Sequence, residues 1–251
     1  MKEIYQILSN DQNQESRLSQ IANNLANVNT IGFKRDEAVF SQYLDSSLKQ
    51  LQGAGQTAAP NPADSVWPSQ LTGYTNFQQG SFQPTGQKLD VAIDGDGFFK
   101  VRTAQGDFYT RAGSFQLNVK NELVTQTGNR VLSTKDNPIV VNPAIGTPEI
   151  TTTGDIKLNQ AVVGRLAVVK FQNTRQLEKV GDGLFRAPDG VTAQPVAKPL
   201  LRPEVLESSN VNVIDEMVRM IDADRSSTVG QKVVQTIDDL VSQLIQSARS
   251  G

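Results

Sequence analysis

The 251-residue chain contains neither cysteine nor histidine. Thiolate and imidazole are the usual zinc ligands, covalent nucleophiles and proton shuttles near neutral pH, so their absence excludes any Ser-His-Asp or Cys-His mechanism. Without cysteine there is no disulfide framework, and an oxidising compartment is neither required nor forbidden. A dominant charge is missing as well. The 24 Lys and Arg against 26 Asp and Glu leave a net charge of -2, whereas a chain that coats nucleic acid phosphates needs a concentrated basic surface. Aromatic residues make up only 6%, a thin platform for stacking sugar rings. No window approaches the roughly 18 apolar residues of a membrane span. The start turns polar at Ser9-Asn10-Asp11, too early for the apolar core of a signal peptide. Any export is expected to be directed by something other than a cleaved signal.

What the chain does have is a division into two ends and a middle. Residues 3–28 hold neither glycine nor proline, and their apolar side chains fall at Ile4, Ile7, Leu18, Ile21, Leu25 and Val28. With Ile7, Ile21 and Val28 in one seam position and Ile4, Leu18 and Leu25 in the other, the spacing is a heptad that is polar at Asp11 and Gln14. It predicts a long helix ending near residues 27–29, with Gly32 beyond it. Residues 213–248 predict a second helix. There Ile214, Met217, Val218 and Ile221 lead to Val234, Ile237, Val241, Leu244 and Ala248, interrupted only by Gly230. Ile221 and Val234 are 13 residues apart rather than the 14 of two heptads, which predicts a kink or a change of partner face. Asn212 reads as the N-cap, with Asp215 and Glu216 in the first turn.

Between the ends, residues 73–203 alternate in short runs at 89–93, 98–102, 107–111, 122–125 and 165–171, bounded by Gly, Asn, Asp and Pro. That pattern reads as antiparallel β structure. Gly80-Ser81-Phe82-Gln83 matches Gly113-Ser114-Phe115-Gln116, and Gly95-Asp96-Gly97-Phe98-Phe99 resembles Gly181-Asp182-Gly183-Leu184-Phe185; each is a turn feeding a strand. Residues 45–72 are rich in Gln, Ser, Ala, Pro and Gly around Trp67. They read as a long linker or arm that packs against something outside its own domain or stays mobile.

The chemistry on offer is thin. Asp94-Gly95-Asp96-Gly97 fails as a calcium loop, because Phe98 and Gln105 stand where ligands are needed; a hairpin turn between 91–93 and 98–101 accounts for it. No phosphate-cradling loop is present. A carboxylate pair of the glycosidase kind, drawn from Asp90, Asp94, Asp96 and Asp107, is the one acid-base device left, and solvated turn residues explain the same cluster. No motif calls for a cofactor or a metal. Asn23, Asn24, Asn27 and Asn29 crowd the end of the first helix, where amides cap carbonyls; Asn23 and Asn24, beside the seam, also suit the fixing of register and partner.

The resulting expectation is an α+β chain in which long N- and C-terminal helices form an antiparallel coiled-coil pair around a central, mostly antiparallel β domain. The expected divisions are 1–35, 36–72, 73–203 and 204–251. Two such stripes leave apolar surface for other subunits, and contacts between non-identical faces build open helical assemblies.

The segment Ile21-Ala22-Asn23-Asn24-Leu25-Ala26-Asn27-Val28-Asn29-Thr30-Ile31-Gly32-Phe33-Lys34-Arg35 resembles the amino-terminal signature of the bacterial flagellar rod and hook proteins. Ser209-Asn210-Val211-Asn212-Val213, with Glu216-Met217-Val218 and Met220-Ile221, is similar to their carboxy-terminal one. Leu89-Asp90-Val91-Ala92-Ile93, Gly97-Phe98-Phe99 and Tyr109-Thr110-Arg111-Ala112-Gly113-Ser114 look like their β domain. Within the family, Val205-Leu206-Glu207, Pro138-Ile139-Val140-Val141, Val163-Gly164-Arg165-Leu166 and Leu184-Phe185-Arg186 resemble the proximal-rod type. Gly32-Phe33-Lys34-Arg35 with Ala38-Val39-Phe40 resembles the distal-rod type. The resemblance implies a drive-shaft subunit in the periplasmic rod of the basal body, exported by the flagellar type III apparatus. Its implied partners are copies of itself, other rod proteins and the surrounding rings, with no cofactor and no catalytic residue. A hydrolase acting on wall polysaccharide, with Asp94 and Asp96 as its carboxylates, is the enzyme alternative.

Overall fold

The computed structural model describes residues 2–41 and 70–249. Most of the expected arm, including Trp67, lies outside the described residues. Among the described residues, two α-helices form where glycine and proline are scarce: α1, Lys2–Ala26, and α2, Val213–Arg249. The second runs unbroken through Gly230 and the polar stretch 222–232.

Eighteen strands are present among the described residues: β1 Asp36–Ser41, β2 Gln70–Thr75, β3 Phe82–Pro84, β4 Val91–Ile93, β5 Phe98–Thr103, β6 Gly106–Thr110, β7 Phe115–Leu117, β8 Leu123–Thr125, β9 Arg130–Val131, β10 Pro148–Ile150, β11 Asp155–Leu158, β12 Ala161–Arg165, β13 Val168–Lys170, β14 Glu178–Gly181, β15 Leu184–Arg186, β16 Gln194–Pro195, β17 Leu201–Pro203 and β18 Val205–Glu207. The largest sheet has the order β14-β15-β6-β5-β9-β8-β7, with β13 joining β5 to β16. A three-stranded sheet, β10-β11-β12, and the pairs β17-β4, β18-β3 and β1-β2 complete the set.

Two compact units result. A helical unit draws on the described residues of Met1–Leu25, Asp36–Tyr74 and Val213–Gly251, and a β unit on Ala26–Arg35 and Thr75–Asn212. In the β unit, β5 is buried on both faces, so Phe98 and Phe99 enter different cores. Phe99 and Val101 join Val91, Ile156 and Leu166 in the larger core. Phe98 joins Tyr109, Phe171 and Phe185 in the smaller one, with ring centroids 4.8 to 5.7 Å apart. That two-sided burial is why the run Phe98-Phe99-Lys100-Val101 lacks clean alternation.

Two expectations are corrected. The Gly95-Asp96-Gly97 turn does not close a hairpin: β4 pairs with β17, while β5 pairs with β6, β9 and β13. Its glycines, at φ 94° and 154°, carry the chain from one sheet into another, and a Cβ on Gly97 would lie 3.0 Å from Val168 Cγ1. The second correction is to the fold class. The described residues hold two α-helices and a mostly β-sheet central domain, and the antiparallel coiled-coil pair expected of the chain ends is not shown. At the described end of α2, Ile214 and Ile221 are 72% and 52% exposed, while Glu216 and Ala223, seven residues apart, are 1% and 0% exposed. The inward positions at this end thus start with a carboxylate, Glu216, rather than with the apolar residues the spacing suggested.

Among the described residues, five non-glycine positions adopt the left-handed conformation: Asn121, Asp136, Asn159, Asp182 and Glu204. Four are Asn or Asp, which tolerate it best. Asp182 sits in the two-residue hairpin between β14 and β15.

Candidate functional site

No cluster of three or more His, Cys, Asp or Glu able to hold a metal occurs among the described residues. The four carboxylates of the hydrolase reading are separately engaged or exposed. Asp94 accepts from Arg202 at 2.7 and 2.9 Å. Asp90 is buried and accepts from Thr85 at 2.7 Å. Asp107 accepts from Arg102 at 2.7 Å and faces Lys100 at 3.0 Å, and the Arg102 hydrogen bond holds its carboxyl below the ordinary range. Asp96 is exposed.

The most closely built polar centre lies in the β unit, where residues 32–35 cross between the start of the β chain and its end. Gly32 N–H donates to the Glu207 carbonyl at 2.8 Å. Lys34 Nζ donates to Glu207 Oε1 at 2.6 Å and to the Gln78 carbonyl at 2.7 Å. Arg35 N–H donates to Asn210 Oδ1 at 2.7 Å, while Asn210 Nδ2 donates to the carbonyls of Asn76 and Gln78. Lys179 Nζ donates to the Lys34 carbonyl at 2.8 Å and lies 3.7 Å from the centre of the Phe33 ring.

Both side chains of the Lys34–Glu207 pair are fully buried. Arg111, also buried, donates from Nη1 to the Gly95 carbonyl at 2.8 Å and stands 3.5 Å from Glu207 Oε2. Gly80 N–H donates to Glu207 Oε1 at 3.0 Å. Burial pulls Lys34 below the usual ammonium range against the opposing pull of Glu207, and burial likewise lowers Arg111. A buried ion pair of this kind is costly to desolvate and costlier still to break on one side. Gly32, at φ 67°, packs its α-carbon so closely that a Cβ would sit 2.5 Å from Arg111 C and Ala112 N.

The signature residues thus have intrachain work. Asn24 is buried and spans the backbone of Asp36, donating to its carbonyl at 2.9 Å and accepting its N–H at 3.0 Å. Asn27 Oδ1 accepts from Thr30 Oγ1 at 3.1 Å, a local turn at the helix end. Phe33 is buried, Asn23 exposed, and Asn212 directly precedes α2. Sequence reasoning named Gly32, Phe33 and Asn210 but gave no role to Lys34, Arg111 or Glu207. The available signal was a carboxylate following the apolar pair Val205-Leu206.

The heptad residues divide differently. In α1, Ile21 is buried and Leu18, Leu25 and Val28, just beyond the helix, are half-buried. In α2, Ile214, Met217, Val218 and Ile221 are exposed. The side chains of Ile4, Ile7, Val234, Ile237, Val241 and Leu244 lie outside the described residues. In sequence, Val234 and Ile237 lie 11 and 14 residues beyond the buried Ala223. Within the helical unit, Arg17, Gln20, Ile21 and Asn24 of α1, Asp36 and Glu37 of β1, and Glu216 and Arg219 of α2 line a cavity of about 80 Å³. Its lining is polar except for Ile21.

Three segments match known families. Residues 11–34 match the flagella basal body rod protein family, residues 92–158 the flagellar hook protein FlgE/F/G D1 domain, and residues 202–247 the C-terminal region of the flagellar basal body rod FlgEFG proteins. The flagellar basal-body rod protein FlgG of Bacillus subtilis is 31% identical over 263 residues, covering 99% of this chain and 100% of that protein. FlgF of Caulobacter vibrioides is 31% identical and spans 94% of each chain. FlgG of Agrobacterium fabrum is 33% identical over 91% of this chain and 92% of that protein.

Proposed function

The chain belongs to the flagellar basal-body rod protein family as a structural subunit, and from that premise we propose that it assembles helically into the proximal rod and transmits torque from motor to hook. The observation that carries this reading is end-to-end similarity to proteins named as rod subunits. Relatives named FlgG and FlgF both align across more than nine-tenths of the chain, so a distal-rod position is supported equally well. Copies of itself, neighbouring rod proteins, the surrounding rings and the type III export apparatus are the partners, and the periplasmic rod is its location.

The exposed Ile214, Met217, Val218 and Ile221 supply the subunit contacts, together with the stripe from Ile4 to Val28 and its counterpart from Val234 to Leu244. Apolar side chains left open over several helical turns are stabilised by a neighbour that removes them from water, at about 25 cal/mol per Å². Packed against a different surface of the next copy, such a face extends the assembly rather than closing it. Deleting the coding sequence from its host, then restoring it with or without Ile221→Asp, tests the proposal. The unaltered chain should restore basal bodies with a continuous rod, and the variant should not. Intact rods in the deletion strain would overturn the assignment. Electron cryo-microscopy of the restored basal bodies separates proximal from distal placement. The structural role also implies that the purified chain releases no sugar from cell-wall polysaccharide.

A further inference from the structure

We propose that residues 32–35 and the Glu207 carboxylate form a late-closing latch: the β unit reaches its packed form around an open slot, and closure of this strap governs how slowly the unit opens, not how fast it forms. The inference goes beyond the rod assignment and does not depend on it. Three observations carry it. First, neither hydrophobic core includes any residue of 26–35; both cores are complete from residues 77–201, so they can pack while the strap is undone. Second, beside the buried Phe33 side chain, the strap is held by polar bonds to distant parts of the chain. Lys34 to Glu207 spans 173 residues, Arg35 to Asn210 spans 175, and Lys179 to Lys34 spans 145. Contacts of such separation repay their loop-closure entropy only after the intervening chain is ordered. Third, the Glu207 carboxylate has partners outside the strap. Gly80 N–H and Arg111 both face the Glu207 carboxylate, so the carboxylate keeps partners while Lys34 is absent.

Interactions missing from the folding transition state slow unfolding and leave folding unchanged. The strap should behave this way, and the lack of cysteine in the chain allows a clean reporter. Ser209, 8% exposed beside the strap, is replaced by cysteine, and its labelling by a thiol reagent under native conditions reads strap opening. Refolding of the full chain is followed in parallel by pulsed hydrogen exchange on peptides covering residues 91–101, which belong to the cores. In a Lys34→Met background, labelling should accelerate at least about tenfold while core protection returns within about twofold of the parent rate. Slowing of core protection by as much as labelling accelerates would place the strap in the folding nucleus and overturn the proposal, as would unchanged labelling. Should Lys34→Met not fold, Lys179→Met removes the strap's outer hydrogen bond and its contact with Phe33, and the same two readouts apply.

Discussion

Replacing Gly32 by alanine should destabilise the β unit far more than the same change at Gly86, although the two share nearly the same φ. Gly32 has φ 67° and Gly86 φ 70°, so each substitution carries the same left-handed penalty of about 1 to 2 kcal/mol. The surroundings differ. A Cβ at Gly86 meets nothing within 4 Å, whereas at Gly32 it would stand 2.5 Å from Ala112 N and Arg111 C and 2.8 Å from the Arg111 carbonyl oxygen. Backbone cannot swing aside as a side-chain tip can, so residues 32–35 or the 111–112 segment must retreat by roughly 1 Å to reach ordinary contact. Such a retreat stretches the Gly32 N–H to Glu207 hydrogen bond and the Lys34–Glu207 pair. At about 0.5 to 1.5 kcal/mol per neutral hydrogen bond and more for the charged one, the extra loss at Gly32 comes to at least about 2 kcal/mol. Urea unfolding of the full chain, read by hydrogen exchange on β-unit peptides, measures both variants. Equal losses at the two glycines would falsify the claim that this contact is tight.

Further outcomes follow from other parts of the structure. Asn24→Ala should remove the two hydrogen bonds that its amide makes with the Asp36 backbone and, at about 0.5 to 1.5 kcal/mol each, speed hydrogen exchange at β1 without changing the β-unit cores. Ile221→Asp, on an exposed face, should leave the melting of the isolated chain within about 0.5 kcal/mol of the parent while blocking assembly; Leu25→Asp, half-buried, should do both kinds of harm. Asp107 and Asp155 titrate below their ordinary value of 3.8 because Arg102 and Arg165 donate to them. Their contribution is complete above that value and is lost as pH falls through the lower folded-state pKa, so acid unfolding of Asp107→Asn with Asp155→Asn should be flatter below pH 3.8 than that of the parent.

The helices were legible because a stretch without glycine or proline and with regular apolar spacing has few alternatives, and α1 and α2 begin and end within two residues of the expected positions. Which face each helix buries was not legible. Spacing shows what a helix can cover, and Ile214 and Ile221 stay 72% and 52% exposed. The Gly-Asp-Gly pattern teaches the same lesson in the β unit. At 181–183 it closes a hairpin between β14 and β15; at 95–97 it hands the chain from β4 to β5 in different sheets. Turn chemistry is local, but the partner of the outgoing strand is decided by distant residues. Lys34, Arg111 and Glu207 were hidden for a related reason, since a charge reads as solvated until its partner, here 173 residues away, is brought to it.

Glu204 shows where this chain has not reached its own optimum. The other four left-handed non-glycine positions already carry Asn or Asp, but Glu204 holds φ 60° with an exposed side chain. Its carbonyl accepts the N–H groups of Thr85 and Gly86, and its own N–H donates to Asp90, so the conformation is imposed by the junction of β17 and β18 rather than by the glutamate. Natural sequences keep such reserves because selection removes only what falls below a working threshold. Glycine or asparagine at this position would retain every backbone bond and relieve about 1 kcal/mol of torsional strain, giving a sturdier subunit without altering a single packed side chain.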